Sequence, residues 1–378
     1  MWRNRLQIAL LIVAWFAIGW LARGWLLPPL NSEMQLVAQA GGAISAQAYG
    51  PLPAPREMTY AAIRGLLGSL DDKYAVFFDP PTAAHDALGL QGEDAVIGLR
   101  GEMQAGRFVV IAALPGEPAA QAGLQAGDVI TQIDDWPVKE QATYFEVISM
   151  VRGPIGSVAH LTVQRGDRTF TVDVPRQPAQ DVFTRTLASG IGYVRLDRFT
   201  AQAPQQMEAA VRQLLATRPP ALIWDLRYNG GGLMDATQQI LEMFLPEGNA
   251  FYAKTNTGQL ISYPTKSGDL AETIPLVVLI GPQTYSAPET AAAAIADRGR
   301  GQLIGATTHG KGSIVTTIPL LDGSAIRLTV ARWLSPVTQR AYEGEGVPPD
   351  IAVTNDDQGA TEDTVLQRAI DWLVSQPQ

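Results

Sequence analysis

The chain contains no cysteine, which excludes disulfides, thiolate catalysis and cysteine-ligated metals. It has three histidines, His85, His160 and His309. That is too few for a histidine-rich centre, so no metal site is expected. Positive charge is also scarce: 28 Lys and Arg stand against 37 Asp and Glu, for a net charge of −9. A nucleic-acid partner calls for basic surface, and that class is set aside. The phosphate-loop pattern G-x-x-x-x-G-K-[ST] does not occur, and no cofactor is expected.

What is present begins with hydrophobic runs. The 378 residues leave room for two or three domains with ample core. Met1-Trp2-Arg3-Asn4-Arg5 is short and basic, and Leu6 to Ala22 is uncharged and apolar. With Arg23 counted as a residue that snorkels, the run reaches Leu27 and spans 22 residues, enough for a bilayer that needs about 20. A transmembrane helix anchoring the chain is therefore expected within residues 1–30. The flanking arginines place the amino terminus in the cytoplasm and the main body outside, periplasmic or extracellular. The alternative is a cleaved signal peptide, with Ala38-Gln39-Ala40 as its small-x-small site; both readings export the body. Residues 31–87 are expected to form a helical segment. Asn31 or Ser32 caps a helix from Glu33 to Ala46, and Pro51, Pro53 and Pro55 make a stiff break. Thr59, Ile63, Leu66, Leu67 and Leu70 then recur at helical spacing. Such a helical pair packs on the main body or joins two subunits of a homo-oligomer.

Residues 88–178 carry short strand candidates separated by turn signals: Val96–Gly98, Phe108–Ala112, Val129–Ile133, Ala159–Gln164 and Thr169–Val174. Between them lies Gly116-Glu117-Pro118-Ala119-Ala120-Gln121-Ala122-Gly123-Leu124-Gln125-Ala126-Gly127-Asp128-Val129-Ile130. Small residues there let a short helix pack closely, and Gly123 and Gly127 suit positive-φ turns. The stretch resembles the signature of PDZ domains. The resemblance implies capture of a C-terminal peptide by strand addition at a sheet edge, with Ile97-Gly98-Leu99-Arg100 as carboxylate loop and first binding strand, and an apolar last residue on the ligand.

Residues 179–378 read as an α/β body. A strand at Ile191–Leu196, a helix from Pro204 to Ala216 and a strand at Ala221–Leu226 suggest a right-handed parallel unit. Asp225-Leu226-Arg227-Tyr228-Asn229-Gly230-Gly231-Gly232 follows at the strand's carboxyl end, where open α/β sheets gather their functional groups. The apolar strand Leu276–Ile280 leads to Ser286, which stands before an alanine-rich helix from Ala287 to Ala296. The strand Gln302–Gly305 leads to the loop holding His309, Gly310, Lys311 and Gly312. An antiparallel hairpin around Asp322-Gly323 is added after it.

Together these stretches resemble the carboxyl-terminal-processing peptidases, also called tail-specific proteases, over residues 57–375. The matching pieces stand in family order: Asp72-Lys73-Tyr74, the PDZ signature, Asp225 to Gly232, Ser286-Ala287 with Glu289, Gly310-Lys311-Gly312, and Gly344-Glu345-Gly346-Val347-Pro348-Pro349-Asp350-Ile351. The resemblance implies a crotonase- or ClpP-like α/β protease body with a mixed sheet, behind a small β-rich PDZ domain. It implies a serine endopeptidase with Ser286 as nucleophile and Lys311 as base. The backbone N–H groups of Ala287 and of Gly230 or Gly231 would form the oxyanion hole. Its substrates would be proteins or peptides with apolar C-termini. The chemistry agrees: a serine needs an adjacent base, and a lysine serves once burial has lowered its pKa from about 10.4. Two positions depart from the pattern. Val315 stands where many members carry a glutamine that orients the lysine. His309 stands where an aromatic residue is usual, and no Asp partner for a Ser–His pair is evident. The alternative reading, a catalytically silent PDZ-containing peptide-binding or scaffold protein, predicts loss of the serine or the lysine; both are present. A trypsin-like enzyme would need G-N-S-G-G, which is absent.

Overall fold

The computed structural model describes residues 32–114, 116–266, 270–353 and 363–376. The chain divides into two compact units, Met1–Asp71 and Asp72–Gln378. In the first, the described residues form the expected pair of helices, Ser32–Gln47 and Pro55–Gly68. Pro55 opens the second, where a missing N–H costs nothing.

The expected membrane anchor is not supported. Among the described residues no helix is long and apolar enough to cross a membrane. The longest, Ser32–Gln47, has 16 residues, a rise of about 24 Å against a hydrocarbon core of about 30 Å. The run from Leu6 to Leu27 on which the anchor was read lies outside the described residues. The anchored, exported placement of the body, periplasmic or extracellular, is therefore withdrawn, together with the transmembrane element of the expected fold.

The second unit is built on a six-stranded mixed sheet. Its order is Val182–Thr186, Gly192–Leu196, Leu222–Asp225, Leu276–Ile280, Gln302–Gly305 and Ile351–Ala352. The first pair is antiparallel and every later pair is parallel. The strands Leu222–Asp225 and Leu276–Ile280 are buried along their whole length, as continuous apolar runs must be when both faces are covered. One face carries the helices Ala203–Ala216, Met234–Leu241 and Ala287–Asp297 on a core that includes Trp224, Met207, Phe244 and Ile295. The other face is covered by the carboxyl-terminal helix Thr364–Ser375. Because the central strands run parallel, the loops after Asp225, Ile280 and Gly305 leave the sheet at one end. That shared end brings the three motifs together.

A second, antiparallel sheet joins Val76–Phe78, Ala325–Leu334, Gly248–Thr255 and Leu260–Thr265, with Ser313–Pro319 also paired to Ala325–Leu334. The expected hairpin is there, but the Gly248–Thr255 and Leu260–Thr265 pair was not anticipated. The β-rich segment forms its own sheet, ordered Leu99–Gln104, Arg107–Ala113, Val129–Ile133, Val158–Arg165 and Arg168–Pro175. Its separate core includes Phe108, Ile130, Val147 and Leu161. A short ladder between Ala95–Val96 and Gln177–Pro178 closes the base of this lobe.

Candidate active site

Ser286 ends the turn that follows Leu276–Ile280 and precedes the buried helix Ala287–Asp297. Its backbone has φ 72° and ψ −115°, a region that a non-glycine residue enters only at a cost of about 1–3 kcal/mol. Tertiary hydrogen bonds hold it there. The Tyr285 N–H donates to Asn229 O at 3.1 Å. The Thr284 hydroxyl donates to Leu226 O and accepts the Gly281 N–H, both at 2.9 Å. The Ser286 hydroxyl makes no capping hydrogen bond and the residue is half-buried, so the oxygen is not consumed by the helix start it precedes.

Glu289, one turn into that helix, is fully buried. Its Oε2 accepts the Ser286 N–H at 2.7 Å and the Lys311 N–H at 2.9 Å. Its Oε1 accepts the Thr308 hydroxyl at 2.6 Å and the Gly310 N–H at 2.5 Å. One carboxylate thus staples the serine turn to the lysine loop. The sequence shows Glu289 three residues after Ser286, a spacing that signals a capping interaction. It gives no hint of the second set of donors some twenty residues on.

The lysine loop is packed from behind by the Gly344–Ile351 stretch. Gly344 N–H donates to Gly310 O at 2.7 Å, and Val347 N–H to the Thr308 hydroxyl at 2.7 Å. The Trp333 indole N–H holds Lys311 O at 2.9 Å. Lys311 itself is 2 % exposed. Its ammonium lies over the rings of Tyr74, Tyr285 and Phe145, with centroids at 4.5, 4.9 and 5.5 Å. It enters no ion pair among the described residues. Burial, and then the Arg327 guanidinium, lower its pKa to about 8; Glu343, Glu289 and Asp72 pull the other way. His309 is exposed and meets the Tyr285 ring edge-on at 4.6 Å, filling an aromatic packing position.

The glycine loop closes the third side. Asn229 is fully buried, and its side-chain amide donates to Leu196 O at 2.9 Å. A Cβ on Gly231 would fall 3.0 Å from Tyr285 O and 3.3 Å from Ser286 Cβ, and one on Gly232 would fall 2.2 Å from Phe199 O. Glycine is required here for close approach to the serine. The Gly231 N–H is, however, already donated to Asn229 Oδ1 at 2.9 Å. Of the two glycine amides expected at an oxyanion hole, that of Gly230 has no acceptor among the described residues.

The β-rich lobe meets this site directly. Ile97 is buried and its carbonyl accepts the Ala119 N–H at 2.8 Å. Gly98 has φ 71°, and its carbonyl accepts the Leu114 N–H at 2.9 Å. Leu99 opens the edge strand of the lobe's sheet. Arg100 points towards the body: its guanidinium hydrogen-bonds Tyr228 O, stacks over the Tyr228 ring at 5.0 Å and lies 3.5 Å from Asp197. Phe145 comes from the same lobe, as the second residue of the helix Tyr144–Val151.

A strained serine, a buried lysine of lowered pKa and a glycine loop at one end of a mixed sheet define the class as a serine-type peptidase, a hydrolase of peptide bonds. Comparison with known proteins gives the family. The peptidase family S41 model matches residues 190–353, and a PDZ domain model matches residues 109–165. The chain is 31% identical to a carboxy-terminal-processing protease of Bartonella bacilliformis over 313 residues, covering 81% of this chain and 71% of that one. It is 32% identical to a carboxyl-terminal-processing protease of a Picosynechococcus species, covering 84% and 80%. Among solved structures, a photosystem II D1 C-terminal processing protease superposes with a TM-score of 0.64 at 29% identity, over 86% of this chain and 94% of that one. The chain belongs to the carboxyl-terminal-processing peptidases.

Proposed function

We propose that Ser286 is the nucleophile and Lys311 its general base, and that the β-rich lobe presents the C-terminal tail of a protein or peptide substrate. The observation that carries the reading is the shared Glu289 Oε2, which receives the amides of both residues and so fixes one loop against the other. In acylation the Ser286 Oγ attacks the scissile carbonyl while its proton passes to the neutral Lys311 amine. Lys311 then protonates the departing amine. Water, deprotonated by the same lysine, releases the acyl group. Ala287 N–H and Gly230 N–H stabilise the oxyanion, each such donor being worth about 3 kcal/mol.

Only neutral lysine acts as a base. With a pKa of about 8, about a tenth of the enzyme is competent at pH 7. The profile of kcat/KM is therefore expected to climb towards tenfold per pH unit below 8 and flatten above it. A profile flat between pH 6 and 9 would exclude Lys311 as the base.

Tail recognition is supported by the edge position of Leu99–Gln104, which leaves backbone groups for an added strand. The test is cleavage of a peptide with an apolar C-terminus beside its C-terminal amide. Amidation is expected to raise KM about tenfold or more, since it removes the charge that backbone N–H groups hold. Equal cleavage of both peptides would remove the carboxylate from the account. Absence of cleavage of either peptide would favour the scaffold reading.

A further inference from the structure

No side chain hydrogen-bonds or ion-pairs with the Lys311 ammonium among the described residues. Val315, where the resemblance places an orienting glutamine, lies on the strand Ser313–Pro319 beside a register shift, paired with Thr329. Around the ammonium stand three aromatic rings from three distant parts of the chain, all within the about 6 Å over which a ring attracts a cation. We propose that Tyr74, Tyr285 and Phe145 form a cage that positions Lys311 in place of a polar partner. The inference rests on the Ser–Lys reading above.

The chemistry of the cage suits a general base. A carboxylate in contact would hold the lysine protonated. A ring attracts the ammonium weakly, excludes water, and lets the proton leave. Each ring is itself anchored. The Tyr74 hydroxyl donates to Glu343 Oε1 at 3.3 Å. Tyr285 sits in the serine turn, tied to Asn229. Phe145 lies in the first turn of Tyr144–Val151, where Thr143 and Glu146 cap each other: the Thr143 N–H donates to Glu146 Oε2 at 2.8 Å and the Glu146 N–H to the Thr143 hydroxyl at 3.2 Å. Its ring is shared by two cations, Lys311 at 5.5 Å and Arg327 at 4.9 Å. Arg327 is in turn ion-paired with Asp86 and lies over Phe78. Phe145 is thus a wedge from one lobe between two cations of the other.

The charged groups facing Lys311 come from every packed element. Arg327 disfavours its charge, while Glu343, Glu289 and Asp72 favour it. Asp72 is held by the Thr329 N–H at 2.8 Å and hydroxyl at 2.9 Å; Glu343 takes the Ser313 hydroxyl at 2.5 Å and Lys73 at 3.2 Å. Phe145→Leu leaves these hydrogen bonds in place, whereas Tyr74→Leu also removes the hydroxyl that donates to Glu343; Tyr74→Phe removes that hydroxyl with the ring kept, so the difference between the two Tyr74 variants reports the cage.

The experiment compares pH profiles of kcat/KM for wild type, Tyr74→Leu, Tyr74→Phe, Phe145→Leu and Lys311→Ala, with thermal unfolding as a check on folding. Trimming Tyr74 or Phe145 to leucine admits water to the ammonium. The acid limb is expected to move up by about one pH unit, so that activity at pH 7.5 falls about tenfold and is regained towards pH 10. Tyr74→Phe keeps the ring and is expected to keep the limb in place. A loss equal at all pH values in both leucine variants would make the rings structural and overturn the cage, while a dead Lys311→Ala left the dyad standing. A limb moved by Tyr74→Leu but unmoved by Phe145→Leu would overturn the part assigned to Phe145. An active Lys311→Ala would overturn both the dyad and the cage.

Discussion

Ser286→Ala is expected to reduce peptide-bond cleavage by about 10⁴-fold or more, the scale on which removal of a nucleophile acts in serine peptidases, and to leave stability within about 0.5 kcal/mol. The two halves have separate causes. Catalysis goes because the attacking oxygen is gone and water cannot take its place beside the oxyanion donors. Stability stays because the hydroxyl caps nothing, and the hydrogen bonds that hold the turn use the backbone of Ser286 and the side chain of Glu289. Alanine inherits the same φ of 72° with much the same strain, since both residues carry a Cβ. Cleavage assays paired with thermal unfolding check both halves. Lys311→Ala is expected to follow it in activity.

Glu289→Ala should do the opposite of Ser286→Ala: damage the fold and the chemistry together. The carboxylate is fully buried and accepts from the backbone of Ser286, Gly310 and Lys311 and from the Thr308 hydroxyl. Deleting it leaves those donors without a partner, at about 1–3 kcal/mol for each that water cannot reach. A total loss of about 3–5 kcal/mol is expected, on the scale for breaking a buried charged network. Glu289→Gln separates the contributions. It fills the same space, but one of its ends is an NH₂ that faces two donors. A milder loss of stability with about 10²-fold lower kcat is expected, because a displacement of about 1 Å between nucleophile and base costs that much. Thermal unfolding and kcat measured on both variants decide this. A Glu289→Gln variant with full activity and a lowered melting temperature would confine Glu289 to holding the fold.

How much of this could be read in the sequence depends on how local the cause is. The parallel strands were legible because Leu276–Ile280 and Ala221–Trp224 are short, continuous apolar runs, a pattern that burial on both faces imposes. The alanine-rich helix after Ser286 was legible because small residues and an early proline permit it to pack tightly. The helix Pro80–Gln91 was passed over, though Asp79 followed by two prolines is an N-cap signal; in the structure the Asp79 carboxylate accepts the Thr82 N–H at 3.0 Å. The hairpin Gly248–Thr255 with Leu260–Thr265 has little alternation, since Leu260, Ile261 and Ser262 are all exposed, so period alone does not reveal it. The expected membrane helix rested on hydrophobicity near the amino terminus and finds no support among the described helices.

At the site, the motifs were legible and their wiring was not. Ser286, Lys311 and the glycine loop were marked by the resemblance of their motifs, in order, to those of the family. That the Gly231 amide is used by Asn229 follows from the turn the backbone makes, which spacing leaves open between Gly230 and Gly231. The acidic surroundings of Lys311 were missed because none is near it in sequence: Asp72, Glu289 and Glu343 arrive from three other segments. Phe145 belongs to another lobe and stands 166 positions from Lys311. Arg100, placed in the binding strand by resemblance, lies on the edge strand Leu99–Gln104 and its side chain reaches Tyr228 in the loop that leads to Gly230. Only folding brings such pairs together.

The most direct test of the Ser286–Lys311 pairing is covalent labelling by a fluorophosphonate followed across pH, with the labelled residue located by peptide mass mapping. Phosphonylation of Ser286 is expected, at a rate rising about tenfold per pH unit below pH 8 and levelling above it, and lost in Lys311→Ala. Labelling of a different residue, or equal rates in wild type and Lys311→Ala at every pH, would contradict the pairing.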